Sequence, residues 1–427
     1  MTVVVFLFSL LGAMALGMPI AFALIVCGLA LMLWMGIFDS QIVAQNLIIG
    51  ADNFPLLAVP FFLLAGEFMN AGGLSKRIVN FALAWVGHLR GGLGYVAVFA
   101  ALIMASLSGS AAADTAALAS LLIPMMREAG YNIPRSAGLI AAGGIIAPVI
   151  PPSIGFIIFG VAGGVSITKL FLAGIFPGFL MGVSLLIAWW FVMRKETMVK
   201  TFALPPMKDR LRATVDSFWA LLMPLAIIGG LKFGIFTPTE AAVCAVAYSF
   251  IVGMFVYREL KWSALYGLML SAAKTTAVVM FLVAAALVSA WLMTSANIPG
   301  ELGKLLEPFM DNKLLLMMMM MVLVLVVGTA LDFAPTVLIL TPVLMPIVKQ
   351  AGIDPVYFGV LFIMNNAIGL ITPPVGIVLN VVSGVAKVPM GDVIKGVWPF
   401  LLAQSIVLFA LVLFPDLVMV PLKWLTQ

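Results

Sequence analysis

The chain has 427 residues, 64% of them apolar and 9% charged, with a formal net charge of +5 and a mean hydropathy of +1.23. A water-soluble chain carries roughly a quarter of its residues as charges. This composition therefore excludes a soluble protein, and with it the nucleic-acid partner that a positive charge would otherwise invite. Apolar runs near the ~20 residues needed to cross a bilayer follow one another along the length, so the expected class is an all-α polytopic membrane protein.

In chain order, Thr2 to Trp34 is apolar, holds Pro19 and lacks a small-residue cleavage site, so it reads as a first spanning helix rather than a removed signal. Gly36 to Asn53 carries Asp39 and Asp52 but no Lys or Arg, which suits a non-cytoplasmic connection. After Phe54 to Glu67, the segment from Gly72 to Arg90 is basic at both ends and reads as cytoplasmic and partly interfacial. Gly91 to Ala105 and Thr115 to Met126 are each too short to cross a hydrocarbon core of ~30 Å. Between them lies Ser106-Leu-Ser-Gly-Ser-Ala-Ala-Ala-Asp114-Thr115. Two half-depth arms meeting at a polar tip, a re-entrant hairpin over 91–127, fit this pattern. Arg90, Arg127 and Arg135 place its mouth toward the cytoplasm.

A Gly-rich segment then runs into Pro148-Val-Ile-Pro-Pro-Ser153. Prolines remove backbone donors, so 138–160 is expected to be a helix unwound in its middle. A span over Leu170–Val192 precedes Arg194–Asp216, which holds six basic and three acidic residues and reads as a cytoplasmic connection.

The second half opens with Ala220–Lys232, the turn containing Thr237 and Glu240, and spans near Val243–Val256 and Ala264–Trp291. A second hairpin over 313–348 includes the run Met317–Met321, soft packing surface rather than a metal tract, and breaks at Gly328-Thr-Ala-Leu-Asp332-Phe-Ala-Pro335-Thr336. A second unwound helix over 356–382 breaks at Thr372-Pro373-Pro374, and a last span near Phe400–Leu413 ends the chain. The division expected is 1–90 and 217–312 as scaffold, 91–192 and 313–400 as transport repeats, 193–216 as connection, and 401–427 as a C-terminal helix.

The two halves echo one another. Asp114 answers Asp332 at an offset of 218, and Pro152 answers Pro374 at 222; Pro124 and Pro342, Gly138 and Gly359, and Pro177 and Pro399 fall between or at these offsets. Repeats with broken hydrophobic segments at matching places point to a transporter's binding site. An odd number of spans between them makes the repeat inverted. The balanced flanks of the second hairpin (Asp311 with Lys313, Lys349 with Asp354) agree, against the all-basic flanks of the first.

Half-helix ends inside a membrane expose carbonyls at one terminus and N–H groups at the other. Opposed hairpins beside unwound helices thus supply oxygens for a hard monovalent cation and donors for a carboxylate. Ser106, Ser108, Ser110, Thr329 and Thr372 are the hydroxyls suited to that work, with Asp114 and Asp332 offsetting a cation's charge or capping the second arms. Backbone bonding or helix gluing is the competing role for any one such hydroxyl. Glu67 and Glu240 are ion-site or helix-end residues, His88 an interfacial one, and Cys27 and Cys244 buried neutral thiols. One histidine rules out a His-pair metal site, and no GxxxxGK[ST] loop exists for ATP hydrolysis. Secondary transport driven by an ion gradient remains, with an ion channel as the alternative across classes and a Ser/Asp intramembrane hydrolase further off.

Five segments carry a family resemblance: Pro60-Phe-Phe-Leu-Leu-Ala-Gly-Glu67-Phe-Met-Asn-Ala-Gly-Gly73, Ser108-Gly-Ser-Ala-Ala-Ala-Asp114, Pro151-Pro-Ser-Ile-Gly155, Thr237-Pro-Thr-Glu240-Ala-Ala, and Asn366-Ala-Ile-Gly-Leu-Ile-Thr372-Pro-Pro-Val-Gly376. With them the chain resembles the large membrane subunit of tripartite ATP-independent periplasmic (TRAP) transporters, the DctM-like family, over nearly its whole length. The resemblance implies an elevator mechanism and sodium-coupled uptake of an organic anion into a bacterium across its inner membrane. It also implies a periplasmic substrate-binding protein and a small four-helix membrane subunit, expected here as a separate polypeptide. Sialic acid is the substrate suggested, otherwise a C4-dicarboxylate or similar carboxylate; a stand-alone sodium/dicarboxylate symporter is the alternative within transporters. Carried onto this sequence, one sodium site involves Ser106, Ser110 and the Gly144–Pro148 region. A second involves Gly328, Gly369 and Thr372, with Thr329 and Asp332 beside them. Substrate contacts are expected from Ser108, Asp114, Thr115, Ser153, Thr336, Asn365 and Asn366. No organic cofactor is implied.

Overall fold

The computed structural model describes residues 2–194, 196, 202–301, 309–310 and 312–426. Among them the chain is helical with no strand, and seven helices are long and apolar enough to cross a membrane. Asp311, used for the flank of the second hairpin, and Lys195 and Lys200 of the charged connection lie outside the described residues.

The N-terminus corrects the first expectation. Thr2–Trp34 is two helices, α1 (Thr2–Ala15) and α2 (Ile20–Met35), packed against each other. The turn is made by Gly17 at φ +80, where Met18 N donates to Ala13 O and Gly17 N to Met14 O. This is a C-terminal glycine cap, and Pro19 then serves as the N-cap of α2. α3 (Ser40–Ala51) leads to α4 (Ala58–Ala71, entered through a 3-10 turn at Phe54–Leu57) and the amphipathic α5 (Leu74–Val86).

The first repeat follows. α6 (Gly92–Ser108) and α7 (Ala111–Glu128) form the hairpin; α8 (Ile133–Gly144) and α9 (Ile154–Gly163) are the two pieces of the broken helix; α10 (Ile167–Met193) is a long span. α11 (Met207–Asp216), in the charged connection, buries no residue and meets α12 (Phe218–Lys232) at a 53° bend. α13 (Pro238–Ile251) lies along α4, and the 34-residue α14 (Trp262–Ser295) packs on α2, α3 and α4.

The second repeat copies the first: hairpin α15 (Lys313–Ala330) and α16 (Phe333–Gln350), broken helix α17 (Pro355–Gly369) and α18 (Ile377–Ala386), long span α19 (Met390–Leu413). The last span thus begins at Met390 rather than Phe400 and does not end the chain: α20 (Asp416–Thr426) follows and packs back on α10. The Pro151–Pro152 and Pro373–Pro374 bonds are both cis.

The repeats interlock. α9 packs on α16, the second arm of the other repeat's hairpin, and α18 packs on α7 in return. Arg127 at the end of α7 reinforces the latter contact, its Nη2 donating to Ala386 O at 2.7 Å. A continuous buried core runs through both repeats and into α2, α4 and α14, so each half-length element is sheathed by protein, the condition for broken backbone at membrane depth.

Candidate functional site

At the first tip α6 ends at Ser108, Gly109 turns in the left-handed region at φ +63, and α7 begins behind Ser110. Ser110 Oγ accepts from Ala113 N at 3.4 Å, so Ser110 rather than Asp114 caps the second arm. Asp114, in the first turn of α7, points inward: Ser108 Oγ donates to its Oδ1 at 2.5 Å, and Ser110 N donates to Ser108 Oγ at 3.1 Å. Its other oxygen, Oδ2, is buried without a partner among the described residues. Ser106 Oγ donates to Ile103 O.

The tip sits directly on the first broken helix. A Cβ on Gly109 would lie 2.7 Å from Pro152 O and 3.2 Å from Ile154 N. One on Gly144 would lie 3.0 Å from Ala111 O and would collide with Thr115 Oγ1. Between Gly144 and Ile154 the chain makes short turns, Ile146 N to Gly143 O and Ala147 N to Gly144 O. Pro148, Pro151 and Pro152 carry no N–H, and the Ala147 carbonyl receives no hydrogen bond among the described residues. Ser153 starts α9, accepting from Phe156 N at 3.2 Å and donating to Pro148 O.

The second site has the same plan. Asp332 caps α16 by accepting from Phe333 N at 2.7 Å, as the sequence reading allowed for this aspartate. Gly328 lies against Gly369: a Cβ on Gly369 would be 2.8 Å from Gly328 C and O. Asn366 reaches across from α17, its Nδ2 donating to Phe333 O at 2.8 Å while its Oδ1 is buried and unpaired. In the break, Thr372 N donates to Gly369 O and Thr372 Oγ1 to Ile368 O at 2.8 Å. Thr329 Oγ1 donates to Val326 O.

The structure therefore sets the Gly109 turn against Pro152–Ile154 and Ala111 and Thr115 against Gly144 at one tip, and Gly328 against Gly369 and Phe333 against Asn366 at the other, while Ser106 and Thr372 bond back to carbonyls of their own segments. Four expected substrate contacts face inward instead. Thr115 is wedged under Gly144, Ser153 is spent on its cap, Thr336 Oγ1 donates to Asp332 O, and Asn365 Nδ2 donates to Met321 O. All four are fully buried.

Sequence reasoning missed the arm-to-arm contact made by Phe333, which sits where a Cβ on Gly155 would be, 2.6 Å from its ring. The flanking candidates take helix-end or packing roles. Glu240 forms a capping box with Thr237, and Glu67 accepts from Ser271 Oγ at 2.7 Å. His88 is half-buried, Cys27 is buried and Cys244 is exposed.

What this arrangement can do follows from its atoms. Hydroxyls and turn carbonyls gather at each tip, with a buried donor-free oxygen from Asp114 at the first and from Asn366 at the second, an oxygen-rich set of the kind hard cations take. Two opposed hairpins on two broken helices, built by an inverted duplication, define a membrane transport protein of the secondary-transporter type. A family profile described as "Tripartite ATP-independent periplasmic transporter, DctM component" matches residues 7–417, and the chain belongs to that family. The 2,3-diketo-L-gulonate TRAP transporter large permease protein YiaN of Escherichia coli (strain K12) is 56% identical over 425 residues, covering 100% of both chains. The sialic acid TRAP transporter large permease protein SiaM of Vibrio cholerae is 38% identical over 410 residues, 96% of each. In fold, the chain is similar to the YdaH transporter of Alcanivorax borkumensis, described as having an unusual topology, with a TM-score of 0.60 and 16% identity over 88% of each chain.

Proposed function

We propose that this chain is the sodium-coupled large permease of a tripartite uptake system for a sugar-derived organic acid. The observation carrying the reading is the meeting of each hairpin tip with the broken helix of its own repeat, where Asp114 Oδ2 and Asn366 Oδ1 lack donors. Unpaired buried acceptors are costly, and a cation at each tip satisfies them. The first ion is held by Ser106, Ser110 and the Gly144–Pro148 backbone, the second by Gly328, Gly369 and Thr372. Residues 91–192 and 313–400 move as the transport part against a scaffold of 1–90 and 217–312, in an elevator stroke. A small four-helix membrane subunit and a periplasmic substrate-binding protein complete the system, in the inner membrane, with 194–216 on the cytoplasmic side.

On substrate, sialic acid gives way to a smaller keto sugar acid of the 2,3-diketo-L-gulonate kind. The relative named for that compound is 56% identical and the sialic acid one 38%.

The test begins with thermal unfolding of the purified chain in sodium against potassium at equal ionic strength. Binding to the folded state adds RT ln(1 + [L]/Kd), about 2.7 kcal/mol at 100-fold over Kd. A sodium-specific rise, lost in Ser110→Ala, is expected; equal unfolding in both salts overturns sodium coupling. Competition of labelled uptake by 2,3-diketo-L-gulonate but not N-acetylneuraminate, in the reconstituted system, is the expected substrate result, and the reverse order removes that assignment.

A further inference from the structure

α10 and α19 lie side by side, and the valley along their outer faces is a groove of about 710 Å³. Ile187, Ala188 and Phe191 form one wall and Leu402, Ala403 and Ile406 the other. Ser184 adds no free polarity, because its hydroxyl donates to Met181 O at 2.7 Å. The groove is thus apolar along its length and charged at one end, where Arg135 completes the lining.

Arg135 is not alone there. Its Nη1 lies 3.6 Å from Glu196 Oε1, an ion pair longer than a hydrogen bond. Arg90 reaches the same residue, Nη2 donating to Glu196 O at 2.9 Å. Arg194 stacks 3.6 Å over the Trp190 ring and stands 5.8 Å from the ring of Phe191, itself a groove wall. Among the described residues no carboxylate lies within ion-pair distance of Arg194. Three guanidiniums and two aromatic rings therefore surround the mouth, and one carboxylate answers them.

We propose that this groove holds one anionic phospholipid, an acyl chain lying between α10 and α19 and the phosphate seated between Arg135 and Arg194. Each part of the lipid finds its match. The walls offer an acyl chain a valley instead of a convex helix, guanidinium forks suit phosphate oxygens, and aromatic rings at that level belong to the interface belt. The Lys/Arg bias puts this end in the cytoplasmic leaflet, whose anionic lipids attract basic clusters between helices. Glu196, held at 3.6 Å, is the group the phosphate displaces.

The test is native mass spectrometry of the full chain released from nanodiscs of mixed phosphatidylglycerol and phosphatidylcholine. One retained phosphatidylglycerol per chain is expected. The pair Arg135→Gln with Arg194→Gln loses it about tenfold, equivalent to 1.4 kcal/mol. Ala403→Phe fills the groove while leaving every arginine in place and loses it as well. Lys208→Gln, on the exposed α11, leaves it unchanged. Full retention in Ala403→Phe, or equal retention of the two lipids by the unaltered chain, overturns the proposal by reducing it to general charge attraction. The readout uses symmetric bilayers and no transport assay, so it stands or falls separately from sodium coupling and substrate. Circular dichroism of the variants, expected unchanged, keeps misfolding from imitating lipid loss.

Discussion

In the first repeat, Ser106, Ser108 and Asp114 at the tip and the break from Ile145 to Ser153 lie under other side chains, with Ile150 partly exposed. In the second repeat, Ala330 and Asp332 at the tip and Pro374 and Val375 in the break stand open. The backbone plan is shared, so covering is a matter of neighbours. α4 closes over the first tip, and a Cβ on its Gly66 would be 3.5 Å from Ser108 Cβ. The first tip is built from Ser, Gly and Ala, small enough for such an approach, whereas the second carries Leu331, Phe333 and Pro335. The polar groups follow suit: the covered Asp114 takes a hydroxyl from Ser108, while the exposed Asp332 caps its own helix and faces outward. Duplication kept the skeleton, and the first tip lies deeper under its neighbours than the second, with Ser110 partly exposed and Ala113 exposed.

The turn at Gly109 has less room for a side chain than its counterpart at Gly328. Gly109→Ala places a Cβ in the left-handed region, costing about 1–2 kcal/mol, and drives it to 2.7 Å from a backbone carbonyl that has nowhere to go. A Cβ on Gly328 meets no backbone atom closer than 3.6 Å, and its one tight contact is the side-chain oxygen of Asn366 at 3.1 Å. Stability in potassium, measured by thermal unfolding, should fall by about 1–2 kcal/mol in Gly109→Ala and by much less in Gly328→Ala. Equal losses would show that the sealed tip is no stricter than the open one.

Much of this architecture was legible because it interrupts a monotonous background. Ser-Gly-Ser and Pro-Pro breaks in apolar runs are conspicuous, and their recurrence near an offset of 220 fixed both hairpins and both broken helices to within a few residues. The turn at Gly17–Pro19 was hidden for the opposite reason. It interrupts an apolar run without any polar residue, and its carbonyls are satisfied by backbone bonds alone. Direction was equally illegible. Thr115 and Asn365 have the functional groups expected of ligand contacts, yet helical phase turns one under Gly144 and the other toward Met321. The cap of α7 fell to Ser110 because the N-cap oxygen must reach the N3 amide, which Asp114, already inside the helix, cannot do.

A smaller effect separates the two carboxylates. Asn caps a helix about as well as Asp, so Asp332→Asn should leave unfolding in potassium within ~0.5 kcal/mol of the unaltered chain, and a solvent-screened charge contributes little to a bound ion. Asp114→Asn puts an amide where the buried carboxyl leaves Oδ2 without a donor, so the variant should gain less stability from sodium. An undiminished sodium increment in Asp114→Asn would mean that the buried carboxylate does not face the ion.

The finest distinction is at Thr372. Its hydroxyl donates to Ile368 O in the half-buried break, the back-bonding that many membrane hydroxyls make with no ligand involved. If that bond is its whole role, Thr372→Ala costs about 1 kcal/mol, equally in sodium and potassium. If its oxygen also faces an ion, as its place beside Gly328 and Gly369 suggests, the cost in potassium stays near that figure while the sodium increment shrinks by more. Thr372→Ser, which keeps the oxygen and drops the methyl, should restore the increment. Parallel loss in both salts would assign Thr372 to the helix end alone. The second ion would then rest on the carbonyls around Gly328 and Gly369, and the open repeat would bind with fewer side-chain oxygens than the sealed one.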